Sequence, residues 1–121
     1  RIMIVGASTH REKYGNKAVR AHLHQQHTVL PVHPSSEQVE GIDAYADVSS
    51  VPGPIDRVSI YVPPTVGLTI LPDLAARGDV AELWLNPGSE SEELIERARS
   101  LGFEPVQACS IRMIGEDPTL L

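Results

Sequence analysis

Short apolar runs alternate along the chain with stretches whose apolar residues recur every three or four positions, a pattern that predicts βα units and a parallel sheet. Strands are expected near residues 1–5, 28–32, 56–61, 80–85 and 103–106, with a short extra strand around Gly41 to Tyr45 at one sheet edge. Helices are expected near 15–26, 66–77 and 91–101, and a single helical turn at 47–51. The last helix is the best specified. Ser89 and Glu92 have capping-box spacing, Leu94, Ile95, Ala98 and Leu101 form one apolar stripe, and Gly102 supplies the left-handed stop. In the middle helix, Pro72 lacks a backbone donor, which predicts a kink or a late start. Pro31 would interrupt a ladder unless its nitrogen faces an edge or a bulge.

These elements describe an α/β three-layer sandwich around a mostly parallel sheet of about five strands, in the order 3-2-1-4-5. One domain over 1–121 is expected, since there is no repeat or low-complexity tract and Pro52-Gly53-Pro54 is too short to be a linker. A chain of 121 residues buries roughly two-thirds of its unfolded surface, enough for a core without metals or disulfides. Cys109 is the only cysteine, which excludes an internal disulfide and makes a reducing, cytoplasmic setting the expectation. The first residues already read as a core strand, so no signal peptide is expected, and no apolar run is long enough to span a membrane.

Charge narrows the partners. With 10 Lys+Arg against 16 Asp+Glu and a net charge of −6, the chain lacks the extended basic surface of a nucleic-acid binder. One Trp, one Phe and three Tyr give no platform for stacking single strands. Yet Arg1, Arg11, Lys13, Lys17 and Arg20 all fall within the first twenty residues, opposed only by Glu12. They are expected to gather around Gly6-Ala7-Ser8, the loop that breaks the first strand before Lys13-Tyr14-Gly15-Asn16-Lys17 opens a helix. A glycine loop leading into a helix N-terminus suits a phosphate, because free N–H groups and the helix dipole face it.

In an open parallel sheet, ligands bind beyond the carboxyl ends of the strands. Those ends read Gly6-Ala-Ser-Thr9, His33-Pro34-Ser35, Tyr61-Val-Pro-Pro64 and Asn86-Pro-Gly88, and none presents a paired acid and base. A nicotinamide or flavin dinucleotide site calls for G-x-G-x-x-G and an acid at the end of the second strand. Here the next glycine after Gly6 is Gly15 and the acid's place holds His33, which tolerates a ribose phosphate better than a carboxylate would.

Gly6-Ala-Ser8, Pro31-Val-His-Pro34, Ile60-Tyr-Val-Pro-Pro64 and Leu85-Asn-Pro-Gly88 together resemble, in order and spacing, the small stand-alone CoA-binding domain family. That family is similar to the N-terminal domain of the succinyl-CoA ligase alpha subunit. The resemblance runs from Ile2 to about Ile114 and implies a Rossmann-like domain that binds coenzyme A or an acyl-CoA without performing chemistry itself. It implies that Gly6, Ala7, Ser8 and Thr9 hold the diphosphate, with Lys13 or Lys17 assisting where Gly15 and Asn16 open the helix. By the same resemblance His33 and Pro34 lie beside the adenosine 3′-phosphate. Tyr61, Val62 and Pro63 then pass the pantetheine arm towards Asn86, Pro87 and Gly88. The chain departs from many relatives in carrying His33 for Asn, Val62-Pro63-Pro64 for an arginine pair, and Ala108-Cys109-Ser110 for Arg-Cys-Pro.

Other conspicuous residues have plainer explanations. His22, His24 and His27 invite a metal reading, but helical geometry turns His22 away, no carboxylate or cysteine completes the set, and histidines suit a helix C-terminus. Cys109, Trp84 and Phe103 are expected in the core, and Glu90-Ser-Glu-Glu93 complements a helix dipole. Two rivals stand beside CoA binding, an NAD(P)-dependent reductase or epimerase domain and a ligand-free interaction scaffold. The sequence names no partner protein.

Overall fold

The computed structural model describes all 121 residues, Arg1–Leu121. In chain order the elements are β1 Ile2–Val5, α1 Tyr14–His24, β2 Val29–Val32, β3 Gln38–Val39, β4 Ile42–Asp43, a 3-10 turn Val48–Ser50 and β5 Ile55–Ile60. Then come α2 Pro64–Arg77, β6 Val80–Leu85, α3 Glu92–Ser100, β7 Val106–Gln107, α4 Ser110–Met113 and a 3-10 turn Pro118–Leu120. Five strands form one sheet in the order β2-β1-β5-β6-β7, every neighbouring pair parallel. All four β1 residues, Ile-Met-Ile-Val, are buried, because helices cover both faces of the strand. This continuous apolar run is what a parallel central strand requires.

Period-two alternation divides the strands between two cores. Met3, Val5, Val58, Ile60, Leu83 and Leu85 pack on one face against Leu71 and Leu74 of α2 and Leu94 and Ala98 of α3. On the other face Ile2 and Ile4 pack against Ala18, Val19 and Ala21 of α1 and Ile111 of α4. The result is the expected three-layer Rossmann-like α/β fold.

With the edge segment near Tyr45 counted third the order runs 3-2-1-4-5-6, the expected 3-2-1-4-5 with one more strand at its end, although that segment is barely a strand. It contributes one parallel bridge, Val32 to Tyr45, while Ile42–Asp43 pairs antiparallel with Gln38–Val39 in a separate hairpin. Counting the five long-sheet strands alone, the order is 2-1-3-4-5. Pro31 fits because its carbonyl accepts from Tyr45 N at 2.9 Å, and a strand residue's nitrogen lies on the same side as its carbonyl. The missing donor therefore faces the sheet edge.

Three local expectations change. The middle helix starts early rather than late, with Pro64 at its first position and Pro72 exposed inside it, where water can reach the carbonyl left without a donor. Ser91, not Ser89, caps α3, its hydroxyl accepting from Leu94 N at 3.1 Å. The strand expected at 103–106 begins only at Val106, because Gly102 at φ +95° and Phe103 N, bonded to Ala98 O at 2.9 Å, are spent closing α3.

Candidate functional site: a two-lobed groove at the carboxyl ends of the strands

The chain leaves β1 and β5 in diverging directions, and the groove opens between those two exits, at the point where strand order reverses. One lobe, of about 490 Å³, is walled by Gly6, Ala7, Ser8, Lys13, His33 and Pro34. The other, of about 470 Å³, is walled by residues including Asn86, Pro87, Gly88, Ser89, Cys109 and Arg112. Tyr14, Tyr61 and Pro63 line both, so the lobes are two ends of one groove.

The glycine lobe is built from backbone. Gly6 takes φ +88°, and a Cβ there would lie 3.0 Å from Val62 Cγ1 and 3.1 Å from the Tyr61 carbonyl carbon, so its glycine serves both the turn and the close passage of the two loops. Gly15 is needed more strictly, since a Cβ would lie 2.0 Å from Gly6 O. This lets α1 press its first turn against the loop. Lys13 caps α1 without a side-chain hydrogen bond, and the N–H groups of Ala7, Ser8, Tyr14 and Gly15 have no partner in the chain. Four unpaired donors at a loop and a helix N-terminus form a cradle for an anion.

Several side chains expected at a ligand are turned to other partners. Asn16 is fully buried. Its Nδ2 donates to Ser8 O at 2.9 Å and Glu40 Oε2 at 3.2 Å, and its Oδ1 accepts from Arg20 Nε at 2.7 Å, so it shapes the loop from behind. Lys17 Nζ donates to Pro118 O at 2.9 Å. Thr9 is exposed and lines neither lobe.

The expected basic cluster also disperses. Arg1 begins β1 at the far end of the sheet, bonded to the Pro52 and Pro54 carbonyls. Arg11 pairs with Glu40, and Arg20 is held by Asn16 Oδ1 and Arg11 O. Of the five cations, Lys13 alone stands free on the wall of the lobe.

His33 does line the glycine lobe, in a defined tautomer. Its Nδ1 accepts from Ser35 N at 3.1 Å and Ser36 N at 2.9 Å, which places the ring proton on Nε2. The neutral ring therefore has an N–H to offer, and protonating Nδ1 would break both turn bonds.

The other lobe rests on a buried polar network. Asn86, 1% exposed, donates from Nδ2 to Ser59 Oγ at 2.8 Å and Ile60 O at 2.9 Å, while Oδ1 accepts from Ser110 N at 2.9 Å. Ser110 Oγ lies 2.7 Å from Ser59 Oγ and 2.9 Å from Tyr61 Oη. The amide is thereby spent tying the ends of β5 and β6 to α4, and Asn86 contributes to the wall as a fixed surface. Burial pushes the Tyr61 phenol up to about 12, so it is an un-ionised hydroxyl. Pro87 and Gly88 also line the lobe.

Tyr14, Ser89, Cys109, Arg112 and Pro118 complete the groove and were not expected there. Cys109 is half-buried, packed against the core beneath α1 and also forming part of the groove wall. A signal for it existed, because it follows β7 and the carboxyl end of that fifth strand belongs with the other four. Arg112 and Pro118 had none, since the segment that folds back over the groove follows the last strand. No three His, Cys, Asp or Glu side chains come together as a metal site.

The comparisons agree with this architecture. The chain is 28% identical over 112 residues to the alpha subunit of acetate–CoA ligase (ADP-forming) II of Pyrococcus furiosus, covering 84% of this chain and 24% of that protein. It thus spans about a quarter of that relative's length. A conserved hypothetical protein from Pyrococcus furiosus shares 36% identity at a TM-score of 0.82, over 88% of this chain and 91% of the other. A hypothetical protein from Pyrococcus horikoshii shares 27% at 0.83, over 92% and 78%. The dinucleotide-forming acetyl-coenzyme A synthetase 1 of Candidatus Korarchaeum cryptofilum, in complex with phosphate and ADP, shares 28% at 0.73, over 86% and 24%. Matched from residue 1 to residue 115 by the family described as the CoA binding domain, the chain belongs to that family.

Proposed function

We propose that the chain is a single CoA-binding domain, over residues 1–121, that holds coenzyme A or an acyl-CoA in the two-lobed groove and carries out no chemistry of its own. The observation that carries this reading is the division of labour along the groove. One lobe offers the four unpaired N–H groups of Ala7, Ser8, Tyr14 and Gly15, and the other is walled by prolines, tyrosines and Cys109. Coenzyme A has the same two parts, a phosphorylated nucleotide and a thiol-ended pantetheine arm. In this reading the diphosphate takes the Gly6 loop with Lys13 beside it. His33 Nε2–H and Pro34 face the 3′-phosphate, and the arm runs past Tyr61, Val62 and Pro63 to Pro87 and Gly88.

The domain then acts as a carrier, sensor or accessory module in the cytoplasm. Its ligand is a small molecule rather than a nucleic acid or a membrane. Membership of the CoA binding domain family and likeness to a domain-sized part of an acetate–CoA ligase subunit support the ligand. Calorimetric titration with CoA and NAD⁺ tests it. CoA should bind and NAD⁺ should not; tighter binding of NAD⁺ would install the reductase reading, and binding of neither would leave a scaffold.

A further inference from the structure

Arg97 and Arg112 are the two arginines whose guanidinium groups have no ion pair or side-chain hydrogen bond. Arg1, Arg11, Arg20, Arg57, Arg77 and Arg99 are each held by a carboxylate, carbonyl or amide oxygen. Arg97 lies beside Glu93 and Glu96 on α3. Arg112 forms no ion pair and no side-chain hydrogen bond, yet it lines the Asn86 lobe. Asp117 feels its charge, but Asp117 Oδ1 is taken by Thr119 N at 2.9 Å and Thr119 Oγ1 at 2.7 Å. No acid lines this lobe, although the chain has 16 Asp+Glu and a net charge of −6.

An exposed guanidinium without an ion pair, on the wall of an otherwise uncharged, largely apolar cavity, suits an anion. If CoA lies as proposed above, on which this inference rests, its phosphates are at the opposite lobe and the thiol end is here. We propose that the Asn86 lobe selects acyl-CoA thioesters whose acyl group ends in a free carboxylate, with Arg112 pairing that carboxylate. Because Arg112 is carried on α4, which Ser110 ties to Asn86, the anchor point of its exposed side chain is fixed and its reach is bounded. The preference should therefore peak at one acyl length.

The test is calorimetric titration of the full chain with CoA, butyryl-CoA, malonyl-CoA, succinyl-CoA and glutaryl-CoA, repeated for Arg112→Gln and Arg112→Lys, with folding checked by circular dichroism. One dicarboxylic thioester should bind about five- to tenfold tighter than butyryl-CoA, the scale of one charge-assisted contact at a partly wet site. Arg112→Gln should lower the affinity of that dicarboxylic thioester by more than that of CoA or butyryl-CoA and so remove the difference, and Arg112→Lys should keep part of it. Equal affinity for butyryl-CoA and all dicarboxylic thioesters overturns the inference while the CoA reading stands. So does an equal loss for every ligand in Arg112→Gln, which would put a CoA phosphate on Arg112. Failure of the unaltered protein to bind CoA or any thioester overturns the CoA reading and this inference together.

Discussion

At the carboxyl ends of the strands, the N–H groups of Ala7, Ser8, Tyr14 and Gly15 lack partners and their residues line a groove. In the last turn of α1, at the amino ends, His22 is fully buried with its Nδ1 2.9 Å from His27 Nδ1 and its Nε2 without a partner. Both ends leave polar atoms unsatisfied. At the groove they are accessible to a ligand and cost little until water is displaced; at the amino ends the single orphan is inside, where it costs stability and serves no ligand.

The sharpest way to break the open end is Gly15→Ala. In a helix interior that change normally stabilises by about 1 kcal/mol. Here the added Cβ would lie 2.0 Å from Gly6 O, so α1 must retreat from the loop. A net loss of more than about 3 kcal/mol is expected, with ligand binding abolished. Urea denaturation and titration check both; a stabilised, binding-competent variant would show that α1 does not need this contact. Gly6→Val should also destabilise, because its Cβ meets Val62 and Tyr61 at φ +88° rather than only crowding a phosphate.

The closed end is tested by acid. Burial first, then the charges of His27, Arg57 and the N-terminus, hold His22 at about 4 against an ordinary 6.5. Between those values the unfolded chain binds a proton that the folded chain refuses, so stability should be full above pH 6.5, fall as pH drops towards 4 and level off below it. The span is worth on the order of 3 kcal/mol. His22→Leu should flatten this part of the stability profile. An unchanged slope in that variant would assign the acid sensitivity to other groups.

Asn86→Ala separates wall from ligand contact. It strands Ser110 N and removes the side-chain donor to Ser59 Oγ and Ile60 O, which keep only Ser110 Oγ and the backbone N–H of residue 86, a loss of about 2–3 kcal/mol. A lowered urea midpoint at unchanged slope is the expected result. Loss of CoA affinity without loss of stability would make Asn86 a direct contact instead.

What could be read from the chain and what could not divides along the same lines. Strand ends, the glycine loop and the three long helices follow from periodicity and turn residues, which are local. The side-chain assignments at Asn16, Lys17 and Asn86 depend on Glu40, Pro118 and Ser110, distant in sequence, which no spacing rule connects to them. The N-terminal basic cluster misled for the same reason. Arg1 and Lys13 are neighbours in sequence, but β1 runs the length of the sheet between them, and Arg11 finds Glu40 on the β3–β4 hairpin. Arg112 was invisible because the segment that brings it to the groove follows the last strand and has no strand end to announce it.

The smallest effect concerns Lys13, the one N-terminal cation left free on the glycine lobe. If sequence charge clustering governed the site, Lys13→Gln would remove most of the remaining attraction and nearly abolish binding. In the proposed reading the burden falls on four backbone N–H groups without partners, which the substitution does not touch. Lys13 is exposed, so its contribution is screened by water and salt and should stay under about 1 kcal/mol, a three- to fivefold loss in CoA affinity. That loss should shrink further in titrations at high salt, while the affinity left in the variant persists. A thirtyfold loss or more would reverse the ranking and make the lysine, rather than the loop and helix N-terminus, the principal phosphate ligand.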